Sequence, residues 1–256
     1  MDYQNILFEI GDGVAGITIN RPPHNVLDIQ TMKEINEAIE AAGKEPGLKA
    51  LVIAAAGDRA FSAGVDVGDH TPEKLDEMIE VFHRIFRLLL TYDTPTVAVV
   101  RGLALGGGCE VATFCDMVIA SDRAAFGQPE IKVGVYPSMA VAWFPRIIGA
   151  KKAYELLLTG DTISAAEAER IGLINQVVPH EELDQAVARF LGRLTDKSSA
   201  VLKWAKTAIR HGLDVDFERG LQSSEIIYKN GLMRTEDANE GISAFLEKRK
   251  PVWKDK

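Results

Sequence analysis

The feature that most constrains this chain is an alternation of short Val- and Ile-rich runs with long amphipathic stretches. Strand-like runs occur at Ile6–Ile10, Val14–Ile19, Ala50–Ala54, Thr96–Val100 and Met117–Ala120, each bounded by Gly or Pro. Residues 31–42 read as a helix. So does the stretch from Thr71 to Tyr92, where Leu75, Met78, Ile79, Phe82, Phe86 and Leu89 recur at three- and four-residue spacing. Thr71 as N-cap, Pro72 at the first helical position and Glu73 at the positive end of the dipole predict its start, and Pro95 its end. Strands alternating with helices imply right-handed crossovers and an α/β class. Beyond about residue 145 the strand signal fades, apart from the apolar run Leu173–Val178, and helices dominate; Ser164-Ala165-Ala166-Glu167 is a capping box.

The 256 residues, 46% hydrophobic, allow one large domain or a domain with an appendage, at about 150 residues per domain, and exclude wholesale disorder. A net charge of −8 disfavours non-specific nucleic-acid binding. Cys109 and Cys115 are too few for a disulfide framework. With His24, His83, His180 and His211 scattered, no metal-ligand spacing appears. The polar start Met1-Asp2-Tyr3-Gln4-Asn5 lacks the pattern of a signal peptide, and no run approaches the ~18 apolar residues of a membrane helix, so a cytoplasmic protein is expected.

Gly11-Asp12-Gly13-Val14-Ala15-Gly16 matches G-x-G-x-x-G, but a dinucleotide fingerprint needs a helix after its glycines. Here Val14–Ile19 reads as a second strand, which makes Gly13 part of a hairpin turn. The segment from Thr96 is different. A strand runs into Gly106-Gly107-Gly108 and then into the helix start Cys109-Glu110-Val111-Ala112. Three glycines in succession suit either a tight turn or a cradle of free N–H groups for an oxygen acquiring negative charge. A second strand ends the same way, in Ala60-Phe61-Ser62-Ala63-Gly64-Val65-Asp66, and two such loops side by side would aim two donors at one oxygen. Ser62 has no nucleophile elbow around it and reads as a packing or turn residue.

These segments resemble the crotonase (enoyl-CoA hydratase/isomerase) superfamily. The resemblance runs from Asn20-Arg21-Pro22 to Lys248-Arg249-Lys250, through the two loops above, Phe126-Gly127-Gln128-Pro129-Glu130-Ile131, Leu158-Thr159-Gly160 and Ala168-Glu169-Arg170-Ile171-Gly172-Leu173-Ile174. It implies a spiral of β-β-α units over residues 1–195 and a helical region, 196–256, that packs subunits into a trimer or dimer of trimers. It places an oxyanion hole on the N–H groups of Val65 and Gly107, and coenzyme A contacts on Ala63, Asp66 and Lys248, the last matched as well by a solvated basic tail. It makes Glu110 and Glu130 the acid–base pair of a hydratase acting on an acyl-CoA thioester, with no metal and no cofactor beyond the coenzyme A of the substrate. A double-bond isomerase, which generally retains only the second glutamate, and a non-catalytic thioester binder are the rival readings.

The chain departs from the family where many hydratases carry a Gly-rich stretch. It has Gly134-Val135-Tyr136-Pro137-Ser138-Met139-Ala140-Val141-Ala142-Trp143 instead. Tyr136-Pro137 and Pro22-Pro23-His24-Asn25-Val26-Leu27 are similar to hydratases of cyclic dienoyl-CoA thioesters, such as cyclohexa-1,5-diene-1-carbonyl-CoA. His70, Tyr136 and Trp143 are the acyl-pocket candidates, each with an alternative: a flank of the Thr71 cap for His70, core packing for the aromatics. The charge is unevenly spread: residues 201–256 hold 11 basic and 9 acidic side chains, and Lys248, Arg249, Lys250, Lys254 and Lys256 cluster at the end, where a phosphate would be met.

Overall fold

The computed structural model describes residues 3–213 and 215–256; the start Met1-Asp2 lies outside them. The first hairpin pairs β1 (Ile6–Gly11) antiparallel with β2 (Val14–Ile19) through the two-residue turn Asp12-Gly13, both at positive φ, and helix α1 (Ile29–Gly43) follows. Such a turn matches the twist of the strands, and it disposes of the dinucleotide motif. Asp28 caps α1 by accepting the Thr31 N–H at 2.8 Å, a bond worth about 1 kcal/mol.

The next three units repeat one plan. β3 (Ala50–Ala55) and β4 (Ala60–Ser62) precede α2 (Leu75–Thr91). β5 (Thr96–Val100) and β6 (Leu103–Leu105) precede α3 (Gly107–Phe114). β7 (Met117–Ser121) and β8 (Ala125–Gly127) precede α4 (Ala140–Ile147). The first strand of each pair extends a large sheet, β1-β2-β3-β5-β7-β10, and the second a small one, β4-β6-β8-β9, with β9 at Thr162–Ser164 and β10 at Gln176–Val178. Neighbouring strands from these three units run parallel, so every β-β-α unit advances both sheets by one strand, which is the expected spiral. All of β5 is buried. Ala98 and Val100 face the main core, while Val97 and Val99 face a second cluster under α7 (Leu183–Thr195), which explains its uninterrupted apolar run. Helices α5 (Ala150–Thr159), α6 (Ala165–Arg170), α8 (Ser199–Gly212), α9 (Phe217–Asn230) and α10 (Glu236–Leu246) complete the chain. Among the described residues no helix is long and apolar enough to cross a membrane.

The structure corrects the local reading in three places. Regular α2 begins at Leu75, with Lys74 rather than Thr71 as its N-cap. Residues 71–74 form a separate turn, the Lys74 N–H donating to the Thr71 carbonyl, and Lys74 sits at φ −108°, off the helical value. The capping box at Ser164 is half formed: Ser164 accepts the Glu167 N–H at 3.2 Å, but the Glu167 carboxylate is taken by Arg170 and Lys152. The small sheet went unread because its strands have three residues each, too few to show a period of two.

Candidate active site

The two Gly-bearing loops end neighbouring strands of the small sheet, β4 and β6, and come together. Leu27 lies against Val65 as a parallel bridge. Its N–H donates to the Gly64 carbonyl at 2.9 Å, and its carbonyl accepts the Asp66 N–H at 3.0 Å. In that pattern the bridged residue turns its own N–H the other way, so the Val65 N–H points away from Leu27. Gly107 adjoins Val65: a Cβ there would fall 2.7 Å from Val65 Cγ2 and 3.0 Å from Phe82 Cζ. Gly107 is the first residue of α3, so its N–H has no partner within the helix. Asn25, which is fully buried, ties the supporting loop down: Oδ1 accepts the Arg21 N–H, and Nδ2 donates to the Ala56 and Ala60 carbonyls at 3.0 and 2.8 Å. Ser62 is buried and its Oγ accepts the Gly64 N–H, which is the turn duty expected of it.

Gly106 joins this loop to the acidic residues. It stands at φ +51°, a region that disfavours side chains, and a Cβ there would lie 2.5 Å from Glu130 Oε1. Its carbonyl accepts the Glu110 N–H one turn into α3 at 2.9 Å. Gly106 is therefore wedged between the backbone that carries Glu110 and the carboxylate of Glu130.

Glu110 is 2% exposed. Its Oε1 accepts two backbone N–H groups, from Met139 at 2.9 Å and Ala140 at 2.7 Å, at the start of α4. Burial pushes its pKa up to about 8, the two amides pull it down, and the Glu130 charge adds to the rise. Desolvation thus outweighs two charge-assisted bonds worth about 1.5–3 kcal/mol each. Glu130 stands in a short 3₁₀ turn, Pro129–Val133. Burial raises its pKa also, and its buried Oε2 has no hydrogen-bond partner among the described residues.

The other predicted residues are placed as follows. Asp66 caps the turn Val67–Asp69 by accepting the Gly68 N–H at 2.9 Å, and Arg21 stands 3.8 Å from it. Ala63 is exposed, its N–H donating to the His24 carbonyl. His70 is exposed, its Nδ1 on the Asp66 carbonyl at 3.0 Å. Tyr136 is 67% exposed. Trp143 is half-buried. It donates to the Thr113 carbonyl at 3.0 Å and stacks 4.9 Å from Phe114 in a file that continues through Phe86 to Phe82. Lys248 is exposed at φ +55° in the turn that closes α10, where the Arg249 N–H reaches the Ala244 carbonyl.

Residues 9–256 match the profile of the enoyl-CoA hydratase/isomerase family. The chain belongs to that family. It is an enzyme of the crotonase superfamily. Relatives include a crotonyl-CoA hydratase of Syntrophomonas wolfei, 38% identical over 256 residues with 98% of each chain covered. A short-chain-enoyl-CoA hydratase of Clostridium acetobutylicum is 34% identical, with 98% of this chain and 97% of that one covered. The crystal structure of an enoyl-CoA hydratase from Bacillus anthracis superposes with a TM-score of 0.94 at 30% identity, covering 99% of this chain and all of that one. For an enoyl-CoA hydratase/isomerase family member, sequence reasoning missed three supports: Asn25 and Leu27 behind Val65, and the Met139 and Ala140 amides behind Glu110. Leu27, Met139 and Ala140 act through backbone atoms, which no side-chain motif marks, and the Asn25 side chain bonds backbone at Ala56 and Ala60, more than thirty positions away.

Proposed function

We propose that the protein is an enoyl-CoA hydratase in which Glu110 and Glu130 perform the acid–base chemistry on a thioester held by the N–H groups of Val65 and Gly107. The observation that carries this reading is the buried pair of carboxyl groups, both with raised pKa, on either side of Gly106 and beside the two outward amides. The reaction calls for one of the two to be ionised while the other holds a proton. One, ionised, takes a proton from water as the water oxygen bonds to C3 of the enoyl thioester. The C2–C3 π electrons move onto the thioester as an enolate, whose oxygen meets the two N–H dipoles. The other carboxyl then delivers its proton to C2, and the net change is addition of one water.

Coenzyme A enters as part of the substrate. Its adenine end is assigned to the loop of Ala63 and Asp66, and a phosphate to Lys248. The left-handed turn at Lys248 supports the latter, since glycine is favoured at such a helix terminus. Helices of residues 196–256 expose Phe217 and Phe245, both 83% exposed, which supports their packing against other subunits in a trimer or dimer of trimers. The apolar aromatic file from Phe82 to Trp143, its rings edge-to-face or tilted, supports a cyclic dienoyl group as well as a straight chain.

The test is hydration of crotonyl-CoA and of cyclohexa-1,5-diene-1-carbonyl-CoA by wild type, Glu110→Gln and Glu130→Gln. Turnover by wild type and its loss in both variants is expected. Failure of wild type on both substrates, or full activity in either variant, overturns the assignment. Their relative kcat/KM decides the acyl class.

A further inference from the structure

The turn that delivers the Met139 and Ala140 amides to Glu110 is weakly built. Val133, Val135 and Tyr136 point to solvent, and its backbone bonds run locally, from the Gly134 N–H to the Ile131 carbonyl and from the Val135 N–H to the Glu130 carbonyl. Among the described residues, a single side-chain hydrogen bond ties positions 133–138 to the rest of the molecule: His83 Nε2 to Ser138 Oγ, at 2.7 Å. His83 comes from the middle of α2, beside Phe82, whose ring reaches Gly107. One rigid helix thus touches both halves of the site.

We propose that His83 is a positioning residue for the hydratase reaction: through Ser138 it holds the turn before α4, and so the two amides that grip Glu110. The inference rests on the hydratase reading above. Its physical basis is leverage, since Ser138 directly precedes the first of the two donors, and a displacement near 1 Å in a catalytic support costs up to about 10²-fold. His83 is fitted to a permanent contact. Partial burial, with Arg87 one turn along α2, holds its pKa below the ordinary histidine range, so the ring is neutral at pH 7 and bonds the hydroxyl either as donor or as acceptor. Glu80 stands one turn before it on the same helix, and the packed segment Pro137-Ser138-Met139 brings no charged side chain.

The experiment compares His83→Leu, His83→Gln, Ser138→Ala and the double variant His83→Leu/Ser138→Ala, with kcat, KM and the pH dependence of kcat measured on crotonyl-CoA. The amides lower the pKa of Glu110, so a loosened grip raises it. His83→Leu and Ser138→Ala are expected to lose roughly tenfold to 10²-fold in kcat with KM within about twofold. The limb of the profile that reports Glu110 should move to higher pH in both. His83→Gln, which retains a side-chain N–H near Nε2, should recover most of the rate. The double variant should be no worse than the poorer single one, because both remove the same bond. A wild-type profile in His83→Leu, or losses that multiply in the double variant, overturns the proposal. If His83→Leu does not fold, as melting would reveal, Ser138→Ala decides by the same two readouts. Inactive wild type would instead overturn the hydratase reading.

Discussion

Glu110 and Glu130 bring the same side chain to the same place from unlike backbones. Glu110 projects from a helix and lies against the first amides of another, with one oxygen doubly bonded to N–H groups. Glu130 projects from a five-residue turn at the end of a three-residue strand, and one of its oxygens is buried without a partner among the described residues. The first carboxyl is oriented by the fold. The second is confined by it, through its approach to Gly106. Chemically identical groups are thereby given different surroundings by the hydrogen bonds they are offered.

The strongest way to break the contrast is to neutralise each member. Glu110→Gln and Glu130→Gln are each expected to lower kcat on crotonyl-CoA by about 10²–10⁴-fold. Glu110→Gln keeps an oxygen for both amides and should melt no lower than wild type at neutral pH; a variant holding a tenth of the wild-type rate would show that its carboxyl is dispensable.

Gly106→Ala strikes the Glu130 side most directly. Its Cβ would fall 2.5 Å from Glu130 Oε1 and would hold a left-handed φ, so a loss of roughly 10²-fold in kcat is expected. The backbone strain should add about 1–2 kcal/mol of destabilisation, read by denaturant unfolding. Unchanged kcat would mean that the position of Glu130 is unimportant.

A pH series sharpens the Glu110 side. Its folded-state pKa of about 8 lies above the ordinary 4.5, so folding takes up a proton. The native state is most favoured below about 4.5 and loses that advantage as pH rises through 8. Glutamine has no such proton. The stability of wild type relative to Glu110→Gln should therefore fall across this window, by at most about 1.4 kcal/mol per pH unit. A flat difference between pH 5 and 8 would show that Glu110 titrates as an ordinary carboxylate.

The smallest effect lies outside the pair. Lys248→Gly relieves a left-handed residue and should stabilise the fold by about 1 kcal/mol, while raising KM for the CoA ester up to about fivefold if the ammonium meets a phosphate. A lower melting temperature would show that this turn carries no strain.

Much of this was legible in the chain. β5 coincides with its Val-rich run because a strand buried on both faces needs apolar residues on both, and β2 with a run whose alternate residues are buried. The hairpin at Asp12-Gly13 was readable because only a few turn residues accept positive φ. Family motifs carried Glu110 and Glu130, since both stand in short segments of characteristic composition. The support of each was not legible. Leu27 acts on Val65 across 38 positions through backbone atoms alone, and His83 meets Ser138 across 55, with nothing in either local sequence to mark the contact.

Sequence alone determined the α/β class and the alternation of strands and helices, because hydrophobic period and turn chemistry are local properties; the two acids and the glycines of the candidate site came from the resemblance to the family. Only the tertiary structure decided that Val65 and Gly107 adjoin, that Glu110 has two amides while an oxygen of Glu130 has none, and that burial lifts both pKa values. Desolvation and the direction of an N–H are set by whatever packs alongside, and here that neighbour comes from another turn of the spiral.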